Sequence, residues 1–213
     1  MHSDTENIII SIVGKRNTDS CYINLSNGES ILCNIDLVAK YYLCKGKAIS
    51  EELHNQIVAD QRLIEVKKAA YRFATYKPRT RHQIADKLKI KGFEKPEIDY
   101  GIEFLMQFGI VDDAKFAIDF VRNKTKLKSY GVTRIKIELR KAGVRDEFIE
   151  SAVLAEYPSE NALELAIQGG TKKLRMLQNK PIDKQKNSMT QFLVRQGFSW
   201  DIIKKANSIL FEE

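Results

Sequence analysis

The sequence is poor in the residues on which most enzymes and metal proteins depend. It holds three histidines and three cysteines in 213 residues, and no two cysteines form a Cys-x-x-Cys pair. It contains no zinc-protease motif, phosphate-binding loop or nucleophile elbow. An odd, widely spaced set of thiols also argues against a disulfide framework and suits a reducing compartment. We therefore expect a non-enzymatic protein with no catalytic residues, no metal and no cofactor.

Long hydrophobic runs and targeting signals are also missing. No apolar run approaches the ~20 residues that a membrane-spanning helix needs. The opening, MHSDTENIIISIVGK, lacks the basic start and the apolar length of a signal peptide. A hydrophobic content of 43% is ordinary for a globular protein that buries a core without cross-links. We expect a cytoplasmic monomer without membrane contact.

Charge, in contrast, is abundant and unevenly distributed. The formal net charge is +7, but residues 1–60 hold 5 basic and 8 acidic residues, whereas residues 61–213 hold 30 and 20. The densest run lies between Arg122 and Lys141, where eight basic residues face a single acid, Glu138. Such a run repels itself unless an anion binds, so it predicts a polyanionic partner. A solvated helix face would produce the same pattern.

The first 60 residues have the pattern of a small β-sheet followed by helices. The strand-like runs are IIISIV (8–13), YINL (22–25) and SILC (30–33). Between the last two, Ser26-Asn27-Gly28-Glu29 predicts a tight hairpin turn with positive φ angles at Asn-Gly. Helices are predicted at residues 35–43 and from a Ser50 cap towards Tyr76.

Beyond residue 60 one pattern recurs three times. The segments LKIKGF (88–93), LRKAGV (139–144) and LVRQGF (193–198) align on glycines spaced 51 and 54 residues apart. Apolar residues also align eight positions before each glycine (Ile84, Ile135, Met189) and six after it (Ile98, Ile149, Ile203). A period of this length is typical of helical repeats, and a glycine closes a helix in the left-handed conformation.

The sequence thus predicts a mainly α-helical fold: three tandem three-helix repeats in an elongated array, preceded by a small β-rich (α+β) segment. The predicted bounds are 1–60 for the N-terminal segment and 61–110, 111–157 and 158–213 for the repeats. In the third repeat, Gly169-Gly170 predicts an interruption of the first helix. The polar run at 178–188 predicts a mobile loop.

Four segments of the repeats carry a specific combination of residues. They are YRFATYKPRTRHQIADKLKIKGF (71–93), FGIVDDAKFAIDFVRNK (108–124), YGVTRIKIELRKAGV (130–144) and FLVRQGFSWDIIKKA (192–206). In this combination, over about residues 62 to 210, the chain resembles the RecX family, bacterial regulators of the RecA recombinase. The resemblance implies a non-enzymatic modulator, mainly an inhibitor, that lies in the groove of the RecA–single-stranded-DNA filament. It also implies restraint of recombination, RecA ATPase activity and SOS co-protease activity.

Basic residues outside the predicted cores are the candidate contacts with such a filament. Arginine offers bidentate hydrogen bonds to phosphate and carboxylate alike. The candidate set is Arg72, Lys77, Arg79, Arg81, Lys91, Arg122, Lys124, Arg134, Lys136, Arg140 and Lys141. The implied partners are the RecA filament and single-stranded DNA, with double-stranded DNA as a further candidate.

Several alternatives stay open on the sequence alone. Asp112-Asp113 fits a helix cap better than a metal site. Tyr130 fits a turn before a helix capped by Thr133, or a ring that stacks on a base. Trp200 fits core or edge packing between the final helices. The competing functions are a stand-alone nucleic-acid-binding protein, which would bind naked DNA with steep salt dependence, and an adaptor for an acidic protein.

Overall fold

A computed structural model describes residues 7–212 of the chain, apart from the side chains of Ser159 and Glu212. The chain divides into two compact units. Unit 1 takes in the chain up to Tyr76 and also Lys87–Phe108, whereas unit 2 takes in Lys77–Asp86 and the chain from Gly109 onwards. The predicted class, mainly helical with a small antiparallel β segment at the start, is confirmed.

Unit 1 begins with an antiparallel sheet of four strands: β1 (Asn7–Gly14), β2 (Ser20–Leu25), β3 (Ser30–Asn34) and β4 (Ala48–Ile49). Their order in the sheet is β3-β2-β1-β4. The three predicted strands are confirmed, and the turn after β2 has φ 86° at Gly28, although Asn27 does not share its positive φ. Strand β4 is absent from the sequence prediction, because two residues carry no alternation to detect.

The helices of unit 1 cover this sheet and extend beyond it. They are α1 (Ile35–Lys40), α2 (Glu51–Tyr76), the last four residues of α3 (Arg81–Ile90), and α4 (Lys95–Gln107). The predicted cap of α2 is confirmed, since Ser50 Oγ accepts a hydrogen bond of 3.2 Å from the Leu53 N–H. Near its start α2 adds Ile57 to the core beneath the sheet. It continues unbroken through position 60, where the sequence places the first boundary.

The second half of α2 packs against α4. The close approach occurs at Gly101, where an added Cβ would lie 3.2 Å from Val66 Cγ2. Arg62 reinforces the contact, because its Nε donates to Glu97 Oε1 at 2.9 Å and one Nη to the Gly92 carbonyl at 2.9 Å. Although α2 spans 26 residues, neither it nor any other helix within residues 7–212 is apolar enough over sufficient length to cross a membrane.

Unit 2 contains the remaining helices. They are the first part of α3, then α5 (Asp113–Lys128), α6 (Val132–Lys141), α7 (Asp146–Glu156), α8 (Ala162–Arg175), α9 (Ile182–Gln196) and α10 (Trp200–Glu212), with a 3₁₀ turn at Ser159–Asn161. The N-cap of α6 is Gly131, so the prediction of Thr133 is wrong. Trp200 is 56% exposed and lies at an edge rather than in the core.

Two further expectations for the third repeat are wrong. Helix α8 runs without interruption through Gly169 and Gly170, because both are buried and an added Cβ on Gly170 would lie within 3.0 Å of Leu210. Small residues in a helix interior can thus mark a close packing contact instead of a break. Most of the predicted loop at 178–188 is also helical, since α9 starts at Ile182.

The repeat pattern read from the sequence is confirmed position by position. The three aligned glycines have φ angles of 81° (Gly92), 77° (Gly143) and 84° (Gly197). All six aligned apolar residues are buried: Ile84, Ile98, Ile135, Ile149, Met189 and Ile203. The helical hairpin of each repeat therefore closes in the same way and turns the same side chains inward.

Within unit 2 a second constraint acts on the glycine turns. Thr80 Oγ1, just before α3, donates to the Ala142 carbonyl at 2.6 Å, and a Cβ on Gly143 would fall within 3.0 Å of His82 Cβ. The next junction repeats this arrangement, with the Gly131 N–H donating to the Gln196 carbonyl at 2.8 Å. Each turn thus abuts the start of the second helix of the preceding repeat.

Candidate anion-binding site

Five of the eight basic residues between Arg122 and Lys141 pair with acids of their own chain. Arg122 makes a bidentate pair with Glu156, with Nε–Oε2 at 3.0 Å and Nη2–Oε1 at 2.6 Å. This hydrogen-bonded pair raises the pKa of Arg122 and lowers that of Glu156. It links α5 to α7 across 34 positions of sequence.

Arg134 is held by four groups at once, one of them the Arg195 carbonyl, to which an Nη donates at 3.2 Å. Its Nε donates to Glu138 Oε1 at 3.0 Å, one Nη donates to Gln196 Oε1 at 3.0 Å, and the guanidinium carbon lies 3.9 Å from the centre of the Tyr130 ring. Lys124 Nζ lies 3.5 Å from the same Glu138 and 5.2 Å from the Tyr130 ring centre. The ring of Tyr130 is therefore a platform for cations of its own chain.

Two further cations of α6 pair with acids of α7. Lys136 Nζ lies 2.6 Å from Glu150 Oε2, and Arg140 Nε lies 2.7 Å from Asp146 Oδ1. Of the predicted contacts in the run, only Lys141 has no carboxylate partner among residues 7–212. Five of the eight basic residues of the run therefore hold an internal carboxylate, because acids of α7 approach the run in space, and the run needs an external anion less than its sequence implies.

Arg81 belongs to another internal pair, at the start of α5. Its Nε lies 3.1 Å from Asp113 Oδ2, and its backbone N–H donates to Asp113 Oδ1 at 2.9 Å. The Asp113 side chain is only 3% exposed, so Arg81 supplies the charge that this buried carboxylate requires. Asp112 caps α5 as predicted, accepting from the Lys115 N–H at 3.0 Å. In the described part of the chain no three potential metal ligands cluster.

The other basic region of the prediction lies in unit 1 and forms a groove. The groove has a volume of about 430 Å³ and is lined by Glu65, Lys68, Ala69, Arg72, Phe73, Tyr76, Lys87 and Lys91. The α2 residues among them recur every three or four positions and so share one face of that helix. Lys87, in α3, and Lys91, just after it, form the opposite wall. We call this site the α2–α3 groove.

The cations of the α2–α3 groove have few acidic neighbours. Arg72 and Lys91 are exposed, and neither has a carboxylate partner within residues 7–212. Lys87 Nζ lies 6.0 Å from the centre of the Phe73 ring, and Lys68 Nζ is 4.0 Å from the nearest carboxylate oxygen. The ring of Tyr76 is 84% exposed. Charge and aromatic surface are therefore both available here.

Two predicted residues lie in the short segment between α2 and α3. Lys77 is exposed, and Arg79 is half-buried. Neither lines the α2–α3 groove. The predicted set of basic residues is therefore not one continuous site: it comprises groove residues, segment residues and internally paired residues.

A further set of exposed cations was missed by sequence reasoning. They lie at the end of α8, in the turn after it and in the first part of α9: Lys172, Arg175, Lys180, Lys184 and Lys186, with the half-buried Lys173 beside them. We call them the α8–α9 cluster. None of them forms an ion pair with a carboxylate in the described chain. Composition alone could have revealed this cluster, since residues 172–195 hold seven basic residues against one acid.

Taken together, these features define a class: a protein of tandem three-helix repeats with exposed cationic surfaces. Three family models match, described as the first, second and third three-helix domains of RecX, over residues 67–105, 112–153 and 159–206. The chain belongs to the RecX family.

Named relatives agree with this assignment, and two solved structures share the fold. "Regulatory protein RecX" of Clostridium perfringens strain SM101 is 30% identical over 191 residues, 89% of each chain. The protein of the same name from Clostridium acetobutylicum is 28% identical over 98% of each chain. A crystal structure of regulatory protein RecX superposes with a TM-score of 0.71 at 21% identity, covering 95% of this chain and 99% of the other. The crystal structure of RecX from Lactobacillus salivarius superposes with a TM-score of 0.60 at 26% identity, covering 73% of this chain and 99% of the other.

Proposed function

We propose that this chain is a non-enzymatic regulator of the RecA recombinase that binds the RecA–single-stranded-DNA filament. In this proposal it restrains strand exchange, ATP hydrolysis and SOS co-protease activity, and it acts as a cytoplasmic monomer. The observation that carries the proposal is the match of all three RecX domains to the helical repeats, together with relatives named as regulatory proteins.

The division between paired and unpaired cations supports a particular mode of contact. A cation that already holds a carboxylate gains less from a new anion, because the internal pair, worth up to about 1 kcal/mol when exposed, must first be broken. Unpaired exposed cations can bind phosphates without that loss, and each contact releases counterions that were condensed on the nucleic acid. We therefore assign filament contact to Arg72, Lys77, Lys91 and Lys141 and to the α8–α9 cluster.

The remaining candidates receive a supporting role in the proposal. Their side chains hold helices and turns together, and so position the exposed cations. These residues are Arg81, Arg122, Lys124, Arg134, Lys136 and Arg140. Arg79, which is half-buried, stays a predicted contact.

The direct test is titration of the full chain into RecA strand-exchange and DNA-dependent ATPase assays. We expect inhibition of both reactions at ratios at or below one chain per RecA subunit. A variant with the α8–α9 cluster reversed in charge at Lys172 and Arg175 should need a higher concentration for the same inhibition. Unchanged RecA activity at stoichiometric ratios would refute the proposed function.

The second candidate is a nucleic-acid-binding protein that acts without RecA. The observation in its favour is the α2–α3 groove, where exposed cations adjoin exposed aromatic surface. This candidate expects tight binding to naked DNA with a steep dependence on salt. Equal affinity for bare single strands and for RecA filaments would favour it over the regulator.

A further inference from the structure

The α2–α3 groove combines features that recognise one chemical class of ligand. We infer that it binds one nucleotide of a single-stranded nucleic acid, with the base stacked on Tyr76 and the adjoining phosphates held by Arg72, Lys87 and Lys91. The inference rests on the proposed function and deepens it, because it names the component of the filament that this site would contact. Its main experiment nevertheless needs no RecA.

The aromatic surface of the groove is the first argument. Tyr76 is the last residue of α2 and is 84% exposed, while Phe73 lies one turn earlier on the same face. A nucleic-acid base can stack on the exposed face of such a ring, because every base presents a flat π-face regardless of its identity. Stacking of this kind tolerates any sequence, as a regulator of filaments on arbitrary DNA requires.

Charge is the second argument. Four cations and one acid line the groove, which leaves a net charge of +3. The acid, Glu65, already accepts a hydrogen bond of 2.9 Å from Gln61 Nε2 at the far end of the groove from Tyr76. Next to the tyrosine the lining is therefore cationic. A backbone phosphate on each side of a stacked base would meet Arg72 or Lys91 without displacing an internal carboxylate.

The size and position of the groove agree with this ligand. Its volume of about 430 Å³ is in the range of pockets that hold small organic ligands. Bases of a duplex are stacked on one another and are not available to a protein ring, whereas bases of a single strand can be splayed onto it. An acidic peptide would satisfy the cations but would leave the exposed ring of Tyr76 unused.

The main experiment measures binding of a fluorescent oligothymidylate to the full chain by anisotropy. We expect Tyr76→Ala to weaken binding by about fivefold or more, the loss of one base–aromatic stack. The matched control is Tyr71→Ala, which removes a half-exposed tyrosine of the same helix outside the groove. We expect it to retain the original affinity. Equal affinities of Tyr76→Ala and Tyr71→Ala would overturn the inference.

A conservative variant guards against a change in folding. Tyr76→Phe keeps the ring and removes only the hydroxyl, so we expect it to bind the oligonucleotide as the unmodified chain does. If Tyr76→Phe loses as much affinity as Tyr76→Ala, stacking is not the interaction and the inference fails.

The charge component is tested by salt dependence. For single strands the slope of log K against log salt is about −0.7 per phosphate contact. Lys91→Gln should reduce the magnitude of the slope by about that amount. Lys89→Gln, an exposed lysine of α3 outside the groove, should leave the slope unchanged. An unchanged slope for Lys91→Gln would contradict the assignment.

Two further measurements separate the possible sources of failure. A polyglutamate peptide that displaces the oligothymidylate as well as unlabelled oligothymidylate of equal charge would show a charge-only surface and overturn the inference. RecA ATPase inhibition is then measured with the unmodified chain. Inhibition of RecA with no effect of Tyr76→Ala on oligonucleotide binding refutes the groove and leaves the proposed function. The reverse result, groove-dependent binding without RecA inhibition, refutes the proposed function and leaves the groove.

Discussion

The first and second repeats are both rich in basic residues, but they use them differently. In the second repeat Arg122, Arg134, Lys136 and Arg140 each pair with a carboxylate of the same chain. In the first repeat the cations that line the α2–α3 groove remain largely unpaired beside an exposed ring. The density of charge in a sequence therefore does not measure the charge that a partner can reach.

The third helices of the two repeats explain this difference. In the second repeat Asp146 and Glu150, on α7, are directed to the cations of α6. In the first repeat the corresponding helix α4 also carries acids, but Glu97 pairs with Arg62 at 2.9 Å and Asp99 with Lys95 at 2.8 Å. These acids are occupied by cations outside the groove. The groove keeps its positive charge as a result.

The largest expected effect concerns the glycine turns. Gly143→Ala should destabilise the chain by roughly 3 kcal/mol, because the alanine would have to adopt a positive φ angle and its Cβ would collide with His82. Gly92→Ala should cost only about 1 kcal/mol, because φ is strained but no atom of the described chain lies within 4 Å of the added Cβ. Urea unfolding of both variants measures the difference. Equal losses would remove this distinction between the two repeats.

The next effect compares a paired with an unpaired arginine. Arg134→Gln should lower the free energy of unfolding by about 2 kcal/mol, because it removes contacts with Glu138, Gln196 and Tyr130. Arg72→Gln should change it by less than about 0.5 kcal/mol, as for other exposed residues without partners. Thermal or urea unfolding at one salt concentration tests the pair. A similar loss for Arg72→Gln would show that the groove cations are structural too.

Inhibition of RecA should depend more on the cations of the α2–α3 groove than on the paired cations of α6, which is the reverse of the order expected for stability. The double variant Arg72→Glu/Lys91→Glu should raise the concentration for half-inhibition of RecA ATPase by about tenfold, the equivalent of two lost phosphate contacts. The variant Lys136→Gln/Arg140→Gln should raise it by less than about threefold, since these cations serve internal pairs. Assays at equal folded concentration provide the control. A larger effect from the second repeat would reverse the proposed assignment of contacts.

The smallest expected effect is a response to acid that both repeats share. Hydrogen bonds from Arg62 and Arg122 lower the pKa values of Glu97 and Glu156, respectively. A lowered folded pKa means that the unfolded chain binds more protons, so the stabilisation is present at neutral pH and is lost as pH falls below about 4. The urea midpoint should decline over that range, and less steeply in Glu97→Gln or Glu156→Gln. If the urea midpoint declined with pH equally in the unmodified chain and in both variants, these carboxylates would not be the source of the acid response.

Much of the fold follows from local signals in the sequence. The three glycines, the aligned apolar positions and the caps at Ser50 and Asp112 act within a few residues, and the structure has each as predicted. The failures arise where a distant contact overrides the local signal. Gly169-Gly170 reads as a break, but packing near Leu210 keeps α8 continuous. Strand β4 forms only because β1 is present to pair with it.

The candidate site was less accessible to sequence reasoning than the fold. Periodicity and turn chemistry depend on neighbours in the chain, so the sequence alone determined the three repeats and the family resemblance that they carry. An ion pair depends on a separation of about 3 to 4 Å in space. Arg122 meets its carboxylate across 34 positions of sequence, and no local pattern reports that meeting. Which basic residues are neutralised and which remain exposed was decided only by the tertiary structure.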